Sequence, residues 1–136
     1  MRPRCLWTNT AGDDLVELRL GAGDPLARLA GSEVVHVRPE HEAALRDFAD
    51  RADRFGRLFL ALIGASCVGL VGFGVAGSHV GAGASLAFMG LVVQAFPFCT
   101  PQTVEMFGVG TSRVIARVAG VALGLLGVAL GWGLLG

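Results

Sequence analysis

The sequence predicts an all-α membrane protein. Three transmembrane helices follow a small β-containing N-terminal cytosolic head, with a juxtamembrane amphipathic helix between head and membrane. Three observations predict this. From Leu58 to Val104 the chain runs forty-seven residues without an Asp, Glu, Lys or Arg, and a bilayer takes about 20 mostly apolar residues per helix. A further apolar stretch occupies residues 118–136. Ten of the eleven acidic and nine of the eleven basic residues precede Leu58, so charge and grease are segregated along the chain.

Residues 1–38 read as the head. Asp14-Leu-Val-Glu-Leu-Arg-Leu20 alternates apolar and polar, and Ser32-Glu-Val-Val-His-Val-Arg38 is short and β-branched, so both predict strands. Thr10–Asp13 and Gly21–Pro25 carry turn chemistry, with Pro25 presetting φ. Arg4–Thr8 is expected as a third strand hairpinned to the second. Two or three strands alone are marginal in water, so the head is expected to lean on the helix that follows, a membrane surface or a partner.

Residues 39–56 predict a cytosolic amphipathic helix. Pro39 suits its first position, and Glu40 and Glu42 favour the positive end of its dipole. Glu42–Arg46, Asp47–Arg51, Asp50–Arg54 and Asp53–Arg57 are acid-to-base pairs at i,i+4. Leu45, Phe48, Ala52, Phe55 and Phe59 form the opposing apolar stripe. No turn signal interrupts it, so one helix is expected from Pro39 to about Gly77, with residues 57–77 the first span. A hairpin at Gly77–Gly81 leads to a second span at 83–99, ended by Pro97 and Pro101. Thr100 is a candidate N-cap for an interfacial helix over 101–108, ended by Gly108-Val-Gly110, and the third span covers 113–135. Arg46, Arg51, Arg54, Arg57, Arg113 and Arg117 all fall on one side of this topology. The positive-inside rule then puts the N-terminus in the cytoplasm and the C-terminus outside a multi-pass cell inner membrane. The basic start of the chain lacks the apolar run of a cleavable signal peptide, so the first span is expected to direct insertion.

Several function classes find no support. The net charge is zero, against a dedicated nucleic-acid binder. Cys5, Cys67 and Cys99 stand far apart without CxxC, and His36, Glu40 and His41 fit no ligand spacing, so no metal or other cofactor is expected. No nucleotide loop, nucleophile elbow or zinc-protease motif occurs, so an enzyme is not expected.

What remains are membrane features. Gly120, Gly124, Gly127 and Gly131 recur at 4-3-4 spacing on one face, containing two GxxxG motifs, and Ala65, Gly69 and Gly72 mark a similar face on the first span. Small faces permit close helix approach in lipid. They pack the helices within one chain or support self-association or a larger complex, and the third helix is the expected partner face. Gln94 is expected to find an interhelical hydrogen bond. Cys99, Thr100, Gln102, Glu105, Arg113 and Arg117 form the densest polar set near the membrane. A Glu105 pair with Arg113 or Arg117 is the simplest arrangement, and a lipid headgroup site the alternative. The expected function is an accessory or structural subunit associating through small-residue helix faces. A small oligomeric channel or transporter component is the alternative, disfavoured because the span centres hold no paired ionisable groups.

Overall fold

A computed structural model describes residues 2–97 and 101–134. The protein is mostly helical with a small two-stranded sheet: β1 (Val16–Arg19), α1 (Pro25–Ala30), β2 (Val34–Val37), α2 (Pro39–Val75), α3 (His79–Ala95) and α4 (Pro101–Gly131). These form two compact units. The first holds residues 2–56 with 101–114, the second 57–97 with 115–134, and α2 and α4 contribute to both.

In the first unit β1 and β2 pair antiparallel, with Val16 opposite Val37 and Leu18 opposite Val35. Their alternation buries Val35 and Val37, and a further bond from Leu20 N to Glu33 O (2.8 Å) extends the ladder. The segment expected only as a turn begins a helix instead. The Asp24 side chain accepts from Leu26 N at 2.8 Å, Pro25 opens α1, and Gly31 closes it at φ 67°. Proline suits a first helical position as well as a turn, and six residues are too few for a periodic signal. The expected third strand is absent among the described residues. Residues 4–11 fold back on themselves, with Cys5 N bonded to Thr10 O and Asn9 N to Cys5 O, leaving one bridge between Arg4 and Ala11. A single bond, Leu6 N to His36 O (2.9 Å), ties this segment to β2.

The head does lean on helices, and on more than one. Its core joins Cys5, Leu20, Leu26, Val35 and Val37 to Leu45, Phe48 and Ala49 of α2 and to Val104 and Val109 of α4. The start of α4 is thus part of the head. Two of the four expected ion pairs on α2 form, Glu42–Arg46 (3.2 Å) and Asp47–Arg51 (3.0 Å). Asp53 instead reaches Arg28 of α1 at 2.9 Å, and Arg54 lies over the Phe55 ring.

In the second unit α2 runs unbroken to Val75. Gly77 then takes φ 72°, Ser78 N bonds Phe73 O (2.9 Å) and Gly77 N bonds Gly74 O (3.1 Å), the Schellman arrangement. Ser78 at once caps α3 by accepting from Gly81 N. The hairpin is therefore shorter than expected, His79 lies in the first turn of α3, and α3 spans 79–95 rather than 83–99. Phe96, held out of the helical region before Pro97 at φ −126°, ψ 76°, ends it. α4 closes with the same chemistry as α2: Gly133 at φ 70° and Leu134 N bonded to Ala129 O.

Two helices are long and apolar enough to cross a membrane, α2 and residues 102–131 of α4. Only 6% and 11% of their most apolar windows is buried, whereas the core helix of a water-soluble protein is mostly covered. Val68, Val75 and Leu125 are 74%, 86% and 67% exposed. α3, with seventeen residues, is a shorter apolar helix.

Candidate functional site

The break expected over residues 108–112 is one residue wide. Gly108 alone leaves the helical region, at φ 78°, ψ 164°, and helix resumes at Val109. A broken helix exposes carbonyls before the break and N–H groups after it, and the N-terminal segment satisfies both. Val109 N donates to Leu6 O (3.0 Å) and Gly110 N to Trp7 O (2.9 Å), while Asn9 Nδ2 donates to Met106 O at 2.6 Å. Ser112 Oγ crosses the break to Thr103 O at 3.1 Å. Asn9 holds φ 56°, a conformation asparagine tolerates. A Cβ on Gly108 would stand 2.6 Å from Trp7 O, so glycine is required there twice over, by backbone angle and by space.

The same segment lays Trp7 along α4. A Cβ on Gly110 would lie 3.0 Å from the indole nitrogen, so this glycine lets the ring approach the helix. His41 stacks on Trp7 with centroids 5.8 Å apart and planes at 20°. The Arg113 guanidinium lies 5.8 Å from the Trp7 ring and 5.5 Å from the Phe48 ring, a cation between aromatic faces. A cleft of about 430 Å³ opens beside it, lined by Trp7, Thr8, Gly110, Thr111 and Val114.

This arrangement corrects the expected Glu105 ion pair. Among the described residues Glu105 is exposed and forms no ion pair, and Arg113 faces aromatic rings instead. The break turns the chain between them, so helical spacing across it does not govern which side chains meet. Gln102 is exposed; Cys99 and Thr100 lie outside the described residues.

Cys5 is fully buried in the head core. Burial raises its pKa, but the backbone N–H groups of Thr8, Arg38 and Trp7 and the Thr8 hydroxyl together outweigh burial, so the thiol lies below its usual value. No group of three His, Cys, Asp or Glu side chains suited to a metal occurs among the described residues.

In the second unit the α4 glycines meet α3. A Cβ on Gly83 would clash with the backbone of Gly127 and Gly131, and one on Gly90 with Gly120 O and Gly124 N, at 2.5–2.6 Å. Gly127 in turn sits against Ala87 N. Gly120 and Gly127 of the α4 face are therefore packed against α3 of the same chain, the within-chain alternative, whereas a side chain on Gly124 would meet open space. Sequence reasoning passed over Gly83, Ala87 and Gly90, yet with Gln94 they repeat the 4-3-4 spacing of α4. Gln94 Nε2 donates to Arg117 O at 2.7 Å, an interhelical bond. Ala65 and Gly69 border a cleft between α2 and α3, where Gly69 abuts Ser85, whereas Gly72 has open space around it.

The head residues that sequence reasoning missed are Trp7, Asn9, His41 and Gly110. Only the Gly108–Gly110 pair gave a signal, read as a helix terminator; contacts a hundred residues apart leave no local pattern. No family model, curated protein or solved structure matches the chain.

Proposed function

We propose that the protein is a three-span membrane protein with a cytosolic head, acting as an accessory or structural subunit of a membrane assembly. The observation that carries the reading is the uncovered apolar surface of α2 and α4, far beyond the patch a water-soluble monomer exposes. Chain connectivity supports counting α3 as the remaining span. α2 leaves the first unit after Gly56, and the chain has rejoined it by residue 101. α3 must therefore retrace what α2 covers beyond the head. Leu58–Val75 and α3 both have the length for this, eighteen and seventeen residues, or about 26 Å each at helical rise. The arginine distribution favours an N-terminus inside and a C-terminus outside.

A subunit role, rather than transport, is favoured because Gln94 is engaged with a backbone carbonyl and no ionisable pair occupies the spans. With Gly120 and Gly127 packed against α3, an open small-residue surface remains on α2, around Gly64 and Gly72. Cys67 is an exposed thiol on that stretch and a natural reporter. Oxidative crosslinking in native membranes should trap a species larger than the monomer that disappears in Cys67→Ser. A chain that stays monomeric under all oxidants overturns the subunit reading. Carbonate washing should leave the protein in the membrane pellet; release into the supernatant, or both termini reporting from one compartment, overturns the three-span reading.

A further inference from the structure

The geometry points to a binding site for the phosphate of an anionic lipid headgroup at Arg113 and the cleft beside Trp7. It rests on the proposed topology, in which the head meets the cytosolic membrane surface.

Arg19, Arg28, Arg38, Arg46 and Arg51 each lie within 4.0 Å of a carboxylate. Among the described residues Arg2, Arg4, Arg54, Arg57, Arg113 and Arg117 do not, and of these Arg113 is half-buried while the others are exposed. Arg113 has no ion pair or hydrogen-bond acceptor among the described residues, only the faces of Trp7 and Phe48. Ring faces hold a guanidinium in place without occupying its in-plane N–H donors. Those donors are left for an acceptor that the described residues do not supply.

The surroundings are built for such a ligand. Trp7 belongs both to the aromatic clamp and to the cleft, whose other walls include the hydroxyl-bearing Thr8 and Thr111. Its volume of about 430 Å³ falls in the range of small-ligand sites. The cleft is also stiff: Trp7 is fixed by its carbonyl bond to Gly110 N, by the His41 stack and by contact with Gly110. A planar guanidinium fork matches a phosphate better than a point charge would. Beyond Val114 the chain carries one more charge, Arg117, so Arg113 stands where α4 passes from polar to apolar sequence. In the proposed topology that depth is the headgroup layer, where the abundant anions are lipid phosphates.

The test uses the full chain purified in neutral detergent. Native mass spectrometry counts retained phosphatidylglycerol and phosphatidylcholine, and Trp7 emission is followed in a Trp132→Phe background, Trp7 and Trp132 being the chain's two tryptophans. Phosphatidylglycerol should bind saturably and shift Trp7 emission. Arg113→Gln should weaken it about tenfold, as expected for loss of a charge-assisted contact. Arg113→Lys should recover part of the loss, and Arg54→Gln should change nothing. Should Arg113→Gln unfold the head, Thr111→Val keeps the clamp and should still weaken the lipid a few-fold. Equal retention of both lipids overturns the proposal, as do equal losses in Arg54→Gln and Arg113→Gln. A Trp7 response to inorganic phosphate alone, with no lipid preference, assigns the site to a soluble phosphate and overturns the lipid source. Carbonate-resistant chains that lack phosphatidylglycerol preference would sink this site while leaving the membrane reading intact.

Discussion

Gly108 sits where φ, ψ and space all exclude a side chain. Gly108→Ala should cost the head about 1–3 kcal/mol from backbone strain alone, with overpacking against Trp7 O added. Gly56→Ala, in a helix with nothing within 4 Å, should instead gain about 0.5–1 kcal/mol. Thermal unfolding of the two variants in detergent checks both, and the opposite signs separate a required glycine from an incidental one. Asn9→Ala removes the donor to Met106 O and should cost about 1 kcal/mol in the same measurement. Cys5 gives a pH signature. Its folded pKa lies below the usual 9.0, so the stability it contributes is complete above pH 9 and is lost as pH falls through the lowered value. The melting midpoint of the wild type relative to Cys5→Ala should therefore rise with pH from the lowered value up to about 9.

At the level of elements, the α3–α4 contact is the most constrained. Backbones approach so closely at Gly83, Gly90 and Gly127 that a single methyl at any of them must push the helices apart. Gly90→Ala should destabilise by about 1–3 kcal/mol, while Gly72→Ala, facing open space, should be neutral or slightly stabilising. The readout is unfolding in a mixed-micelle denaturant titration. The long helices and the α4 glycine stripe were legible in the sequence because each is a periodic pattern tens of residues long. Length also made α2 readable from Pro39 onward, since no proline or turn residue breaks it. α1 was not legible, because Asp24-Pro25 serves a turn and a helix start equally well. α3 starts four residues before its expected position because Ser78 caps it ahead of the apolar run, and it ends at Ala95 because Phe96, preceding Pro97, leaves the helical region.

Across the whole molecule, composition gave the segregation of charge from apolar length, and chain-wide hydropathy says no more than that. The division of α4 between the two units was hidden, since it depends on residues 6–9 reaching residues 106–110. The candidate site was legible in part: Arg113 stood in a polar set read either as a Glu105 pair with Arg113 or Arg117 or as a lipid headgroup site, but its aromatic neighbours Trp7 and Phe48, distant in sequence, send no signal along the chain. That long reach has a consequence for biosynthesis. The hydrogen bond between Asn9 and Met106 spans 97 positions, so the segment around Asn9 can complete its fold only after the residues around Met106 have been made. Until α4 has begun to emerge, the head must wait unfinished, and a chain truncated before Val109 should be protease-sensitive even though α2 and α3 are intact.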